Sequence, residues 1–197
     1  MPGVDREGVA RAVADFLRAL GREPVGPLAD TPALVAAAWC DELLDGEGLD
    51  PAAILREGSC AAEGDPGLVV LRGLRAETMC PHHLLPAHGE ATVAYLPGTR
   101  LAGFGAVARA LSACTHRLAF QEHAGASLAG ALVSGLGARG ALCQLRLTHT
   151  CLALRGARET AARVETLATA GSFAPGGPDR ALALALLGAP GAAAEAR

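Results

Sequence analysis

The stretch MCPHHLLP, residues 79–86, decides how the rest of this sequence is interpreted. Cys80 and His83 stand three residues apart, a spacing that lets one short turn present a sulfur and an imidazole nitrogen to a single metal ion. His82 lies beside them as a candidate acid or base, and Cys151, far downstream, offers a second sulfur. Cys80, His83 and Cys151 together predict a Cys₂His zinc site. Its open fourth position is typical of catalytic rather than structural zinc.

Length and composition narrow the class of protein. The 197 residues correspond to one ordinary domain that can bury a core. A net charge of -3 argues against nucleic acid or an anionic membrane as the main partner. There is no secretory leader pattern and no apolar run of membrane-spanning length. The six cysteines include no CxxC pair, which favours a reducing cytoplasm.

The first third of the chain has the pattern of a helical arm, expected over residues 1–60. Asp5 is placed to cap a first helix with an apolar face. Thr31 followed by proline begins a second, whose apolar positions, including Leu34, predict a buried stripe. Asp50 followed by proline repeats the start signal for a shorter third helix. A small, polar loop then separates the arm from the rest of the chain.

The remaining two thirds predict an α+β domain over residues 61–175, in the order strand, strand, helix, helix, strand, strand. The expected strands are 68–71, 88–96, 141–155 and 161–168, and the helical apolar patterns run over 107–118 and 128–136. Residues 176–197 predict a C-terminal helix over 180–187, followed by a frayed tail from Gly188.

The predicted strand over 141–155 bears directly on the site. Side chains two residues apart on a strand share a face, so His149, Cys151 and Arg155 are expected to project the same way. One face would then offer a metal ligand, a titratable group and an anion-binding cation. This shared face is the main residue-level argument for grouping Cys151 with the Cys80 turn.

Several motifs, taken together, resemble the GTP cyclohydrolase I family. They are CPHHLLP at 80–86, the segment from Gly103 through Arg109, QEH at 121–123 and HTCLALRG at 149–156. The similarity is in order and at compatible spacing over roughly residues 5–175.

Membership of that family implies the tunnelling fold, which assembles into rings with active sites between subunits. The expected assembly is a homo-oligomer, a decamer. The resemblance also implies a cytoplasmic zinc hydrolase that opens the guanine imidazole ring of GTP, releases formate and forms 7,8-dihydroneopterin triphosphate.

The resemblance also assigns roles to individual residues. Zn²⁺ would be held by Cys80, His83 and Cys151 and would activate a water for attack at C8 of the purine. Proton transfer falls to His82 and His149. The other expected contacts are with the guanine edge, by Gln121 and Glu122, and with the phosphates, by Arg109 and Arg155.

Departures from the family pattern allow more than one identity for the substrate. Pro81 replaces a Glu, His123 replaces an Arg, and Gly105-Ala106 replace a Ser-Lys pair that binds triphosphate. Losing these two donors predicts triphosphate binding weaker by about 10²–10³-fold. Three alternatives follow: a GTP cyclohydrolase I with altered phosphate contacts, a paralogue acting on a less phosphorylated or different purine, and a non-catalytic zinc-binding oligomeric regulator.

Overall fold

The structure is a computed structural model and describes residues 3–188. Its helices are α1 (Arg6–Ala19), α2 (Thr31–Ala38), α3 (Pro51–Glu57), α4 (Phe104–Thr115), α5 (Gln121–Leu136), α6 (Thr150–Ala153) and α7 (Arg180–Gly188). The strands are β1 (Ser59–Ala61), β2 (Val69–Met79), β3 (Pro86–Leu96), β4 (Arg100–Ala102), β5 (Gly140–His149) and β6 (Val164–Gly171). The predicted order of strand, strand, helix, helix, strand, strand is therefore confirmed from β2 onwards.

Four long strands form one antiparallel sheet in the order β2-β3-β5-β6. The short strands β1 and β4 pair separately, beside the start of α4. Helices α4 and α5 cover one face of the main sheet, and the core lies between them. Val93 and Leu145 from the sheet meet Val107, Leu128 and Leu132 from the helices, all with 0% exposure. Truncating one of these leucines to Ala should cost about 2–5 kcal/mol of folding free energy.

Strand β2 is longer than predicted. The apolar run at 68–71 is only its first part, because the strand passes through a register irregularity between Leu71 and Leu74 and continues to Met79. Gly73 has a φ of +67° there, a conformation that glycine adopts without steric cost. The polar and glycine residues around the irregularity hide the second half of the strand from a search for apolar alternation. This second half delivers Cys80 to the site.

The helical arm forms at the predicted starts but does not bury its apolar faces within one chain. Asp5 accepts a hydrogen bond from the Gly8 N–H at 2.8 Å, and Asp50 caps α3 in the same way. No residue of α1 is buried, and Phe16 and Leu34 are 64% and 66% exposed. The prediction of a buried stripe on the second helix is therefore wrong at Leu34 and only partly confirmed beyond it, because Leu44 is buried and the stripe positions between them are half-buried.

The predicted strand over 141–155 is also wrong in its second half. Strand β5 ends at His149, and the next four residues form the helical turn α6. The Thr150 hydroxyl donates to the Pro86 carbonyl at 2.6 Å, and the Leu154 N–H donates to the Thr150 carbonyl at 2.9 Å. These bonds turn the chain out of the sheet. His149, Cys151 and Arg155 consequently do not share a strand face.

Beyond β6, the predicted C-terminal helix is confirmed as α7. Ala183 of this helix is buried in a small second cluster with Ala94, Leu142 and Phe173. The frayed tail expected from Gly188 lies almost entirely outside the described residues, and the divisions after residues 60 and 175 remain predictions. No helix within residues 3–188 is long and apolar enough to cross a membrane.

Candidate functional site

The turn between β2 and β3 presents the CPHH residues at one end of the sheet. The Leu84 N–H donates to the Cys80 carbonyl at 2.9 Å, and the Cys80 N–H donates to the Leu85 carbonyl at 3.0 Å. Leu84 has a φ of +53°, a left-handed conformation that is unfavourable for a residue with a branched side chain. Strain of this kind is concentrated at functional sites, where the surrounding hydrogen bonds maintain it.

Three candidate ligands converge on this turn. Single ligand atoms from Cys80, His83 and Cys151 lie within 4.8 Å of one another, and the Cys80 Sγ is 3.6 Å from the His83 Nδ1. The helical turn α6, rather than a strand, brings Cys151 to the group. Two sulfurs and an imidazole are a donor set that zinc prefers. The group can therefore hold a metal ion, as predicted, although the strand-face argument for Cys151 fails.

A cavity of about 230 Å³ opens beside the three ligands. It is lined by the candidate residues Cys80, His82, His83, Gln121, Glu122, His149 and Cys151, among others. The start of α5, the end of β5 and the CPHH turn thus meet at one point. No side chain caps the N-terminus of α5, so the first N–H groups of that helix remain available to a ligand.

The surroundings of His149 in this cavity favour its uncharged imidazole, which can accept a proton. Burial lowers the pKa of His149, and the nearby Glu122 carboxylate opposes this only in part. The imidazole is therefore neutral at neutral pH. Its Nε2 lies 2.8 Å from the Gln121 Oε1, which fixes the direction of the ring.

Gln121 is placed differently from the prediction. It is only 2% exposed, and its amide nitrogen donates to the carbonyls of Leu145 and Val164, both at 3.0 Å. The amide is thus occupied by contacts inside the protein, which does not support a direct contact with a guanine edge. Glu122, by contrast, is exposed and lines the cavity.

One residue of the cavity, Phe120, which precedes α5, was not predicted from the sequence. Its ring packs edge-to-face with His82 at 5.2 Å between centroids and with His123 at 5.4 Å. It also remains 42% exposed and lines the cavity. A single aromatic residue just before a helix is weak evidence by itself. Its position directly before Gln121-Glu122 is the signal that could have identified it.

The two candidate phosphate-binding arginines are not equally placed. The guanidinium of Arg155 is close enough to act on the Cys151 thiol. The pKa of that thiol is raised by burial first and by Cys80 next, and the Arg155 charge opposes both. Neither arginine is among the residues that line the cavity, and Arg109 lies the farther along its helix from the Cys80 turn. Its guanidinium lies beside Gly58 and Gly105, towards the N-terminal end of α4, whereas the other end of α4 leads to the Cys80 turn.

A larger cavity, of about 650 Å³, lies on the exposed face of the sheet. His88, Glu90 and Thr148 contribute to its lining, together with an Arg146–Glu165 ion pair at 3.0 Å. Within residues 3–188 its lining includes none of the metal-capable group. We therefore take the smaller cavity as the candidate active site, because it is lined by the metal-capable group and the larger cavity is not.

Comparison with known proteins identifies the family of the chain. The family model described as GTP cyclohydrolase I matches residues 9–187. The chain belongs to the GTP cyclohydrolase I family. The GTP cyclohydrolase 1 of Leifsonia xyli subsp. xyli is 40% identical over 189 residues, covering 95% of this chain and 98% of the relative. That of Chromobacterium violaceum is 42% identical over 171 residues, covering 86% and 82%.

These relatives are hydrolases, and the chain is an enzyme of their family, with the tunnelling fold that the sequence resemblance implied. Among solved structures, an archaeosine synthase QueF-Like protein in its apo form gives a TM-score of 0.44 at 17% identity, covering 55% of this chain and 97% of that chain. That likeness is too weak to carry any argument about this chain.

The structure gives a physical account of one departure from the pattern of the GTP cyclohydrolase I family. Ala106, where the family pattern has Lys, is 3% exposed and faces Gly58 so closely that a Cβ atom on Gly58 would overlap the Ala106 Cβ. A lysine at 106 has no room in this arrangement. Gly105, where the pattern has Ser, is exposed, and a Cβ there would contact only Arg109, at 3.6 Å.

Proposed function

We propose that the chain is a zinc-dependent GTP cyclohydrolase I. It would open the imidazole ring of the guanine of GTP by hydrolysis, release formate and yield 7,8-dihydroneopterin triphosphate. The observation that carries the proposal is the meeting of three metal-capable ligands, His149 and an exposed Glu122 in one cavity. A protein that only bound zinc for structure would not need the last two groups.

The donor set supports zinc. Cys80, His83 and Cys151 would hold the ion and leave its fourth position open, because the described residues offer no further ligand to this group. Zinc in such a set supplies a Lewis acid that makes water nucleophilic at neutral pH.

The chain's own residues would place and protonate the substrate. The Glu122 carboxylate can accept hydrogen bonds from the ring N–H and the amino group of guanine, a pair of donors that adenine does not present. His149, which is neutral, can take a proton from the reacting centre, and His82 at the mouth of the cavity can return one. The cavity would admit the purine ring and leave the ribose and phosphates outside, where Arg155 would pair with them.

The phosphate contacts would be completed by a second copy of the chain. Arg109 lies away from the cavity in its own chain, so we propose that it faces the cavity of a neighbouring subunit. Exposed apolar residues on the arm, such as Phe16 and Leu34, and the open edges of β2 and β6 favour a homo-oligomeric ring, which we expect to be a decamer. All six cysteines are unpaired, as expected for the cytoplasm, where we place the enzyme.

One observation favours a second candidate, a paralogue that acts on a less phosphorylated purine nucleotide. The close packing of Ala106 on Gly58 excludes the lysine of the family pattern from the phosphate-binding segment. The remaining arginines, Arg109 and Arg155, can pair with one or two phosphates but do not neutralise a triphosphate.

Incubation of the zinc-loaded protein with GTP, GDP, GMP and guanosine distinguishes the candidates. Formate and pterin fluorescence should appear with GTP if the first proposal is right. A higher kcat/KM for GMP or guanosine than for GTP would favour the paralogue. No formate from any of the four would contradict both. The Cys151→Ala variant, which lacks one of the three metal-capable ligands, serves as the inactive control.

A further inference from the structure

Gln121 is the first residue of α5 and reaches across to two strands at once. Its amide nitrogen donates to the Leu145 carbonyl on β5 at 3.0 Å, to the Val164 carbonyl on β6 at 3.0 Å and to the Thr166 Oγ1 at 3.1 Å. The side chain is 2% exposed. A buried glutamine with this many partners is held rigidly, because each lost hydrogen bond would leave an unsatisfied polar group.

These partners determine which way the amide points. Backbone carbonyls only accept hydrogen bonds, so the amide NH₂ must face Leu145 and Val164. The amide oxygen then faces His149, whose Nε2 lies 2.8 Å from it. That oxygen is also only an acceptor, so the His149 Nε2 must carry the hydrogen. In neutral His149 the lone pair is therefore on Nδ1.

We propose that Gln121 is a positioning residue that acts through His149, fixing the direction of its ring and holding it in the Nε2–H tautomer. The role deepens the proposed function and rests on it for the identity of the reaction. It differs from a contact with the guanine edge, which the burial and the internal hydrogen bonds of Gln121 do not favour.

Positioning of His149 by Gln121 and contact of Gln121 with the guanine edge predict different kinetics. Gln121→Met keeps the size of the side chain and removes both the donor and the acceptor. If Gln121 positions His149, this variant should lower kcat by about 10–100-fold with KM for GTP changed less than twofold, the range found when a partner that orients a functional histidine is removed. If Gln121 instead contacts the base, KM should rise and discrimination against inosine triphosphate, which lacks the 2-amino group, should fall.

A double-mutant cycle tests whether the effect passes through His149. In a His149→Ala background, Gln121→Met should lower kcat no further, because the ring that it orients is gone. Full additivity of the two losses would overturn the proposal. The matched control is Gln144→Met. Gln144 is also a buried glutamine of this sheet, 5% exposed, and it bonds Glu165 rather than His149, so kcat should be unchanged.

A structural readout keeps the proposal testable even if no nucleotide is turned over. Magic-angle-spinning NMR of protein labelled with ¹⁵N-histidine reports which ring nitrogen carries hydrogen, and His149→Ala identifies the signals of that ring. The expected result is Nε2–H in the wild type and a mixture of tautomers in Gln121→Met. Nδ1–H in the wild type would contradict the proposal, whereas absence of formate from the wild type would contradict only the proposed function. If Gln121→Met does not fold, Thr166→Val can be used instead, because it removes only one of the hydrogen bonds to the Gln121 amide. It should produce the same mixture of tautomers to a smaller extent. Thr166→Ser keeps the hydroxyl and is its control.

Discussion

The two ends of α4 differ in how completely one chain builds them. At the C-terminal end, the metal-capable group, His149 and Glu122 surround one cavity, and Gln121 holds His149 in place there. At the N-terminal end, about 17 Å away at 1.5 Å per residue, the exposed Arg109 lies at the surface beside Gly105. We refer to these regions as the ligand end and the Arg109 end.

The difference indicates that the two ends bind different parts of the substrate. The ligand end has the features needed for chemistry on a ring, and hydrogen bonds from Gln121 to the sheet preorganise His149. The Arg109 end has a positive charge and a helix N-terminus without a side-chain cap, both suited to an anion, and it lies apart from the metal-capable group. A substrate with a reactive ring and a phosphate tail would use both ends, and a ring-shaped oligomer is the arrangement we propose for bringing them together.

A large loss of turnover should follow from removing base recognition at the ligand end. Glu122→Ala deletes a carboxylate that we expect to accept two hydrogen bonds, each contributing about 1.5–3 kcal/mol, so kcat/KM for GTP should fall by about 10²–10⁴-fold. Zinc content and oligomer mass should not change. The measurement is steady-state formate release together with metal analysis, and near-normal kcat/KM in the variant would remove Glu122 from the site.

Mixing subunits would test directly whether one active site uses the ligand end of one chain and the Arg109 end of another. Arg109→Ala and Cys151→Ala should each be inactive alone, whereas co-expressed chains should recover about a quarter of the wild-type activity. The fraction follows because each subunit of a symmetric ring would contribute its ligand end to one site and its Arg109 end to another. Co-expression of Cys151→Ala with His83→Ala is the control. Both changes damage the same end, so no activity should return. Failure of the first pair to recover would place both ends of the site in one chain.

A smaller effect is expected at the Arg109 end itself. Gly105→Ser adds a hydroxyl where the structure has room for one, next to Arg109. We expect KM for GTP to fall by about 10-fold, the effect of one hydrogen bond to a charged group, while KM for guanosine is unchanged. Both values should be measured at one ionic strength, because the interaction is electrostatic.

Restoring the lysine should fail for a steric reason. Ala106→Lys would insert a long charged side chain against Gly58, and overpacking of a filled site costs about 1–3 kcal/mol. Its melting temperature should therefore fall, in contrast to Gly105→Ser. If Ala106→Lys is as stable as the wild type and also binds GTP more tightly, the Arg109 end is more open than described.

The smallest effect concerns the aromatic contact at the mouth of the cavity. Phe120→Leu removes an edge-to-face partner of His82, an interaction of about 0.5–1.5 kcal/mol, so kcat/KM should fall by about 2–10-fold. Phe120→Tyr keeps the ring and should retain most of the activity. Equal losses in both variants would show that the aromatic contact with His82 is not what matters at this position.

Sequence patterns predicted the parts of this molecule that depend on local chemistry. The order of elements, the cap at Asp5, the end of α5 at Gly137 and the convergence of Cys80 with His83 all follow from spacing and side-chain type. The family resemblance then placed the candidate residues in order along the chain.

Features that depend on tertiary contacts were beyond sequence alone. The segment after His149 alternates like a strand, but hydrogen bonds from Thr150 to Pro86 and from Leu154 to Thr150 turn it out of the sheet into a helical turn. The role of Gln121 depends on carbonyls of two strands that are distant in sequence. The apolar face around Phe16 is exposed in one chain because any surface that would cover it lies outside that chain.

The central claim is that the ligand end is a catalytic zinc centre. The most direct test measures zinc per chain and formate released from GTP on the same samples of wild type, Cys151→Ala and Cys143→Ala, a change at a buried core cysteine away from the cavity. The account predicts one zinc per chain and formate release in the wild type and in Cys143→Ala, and the loss of both in Cys151→Ala. Unchanged zinc in Cys151→Ala, or formate release from protein without zinc, would contradict it.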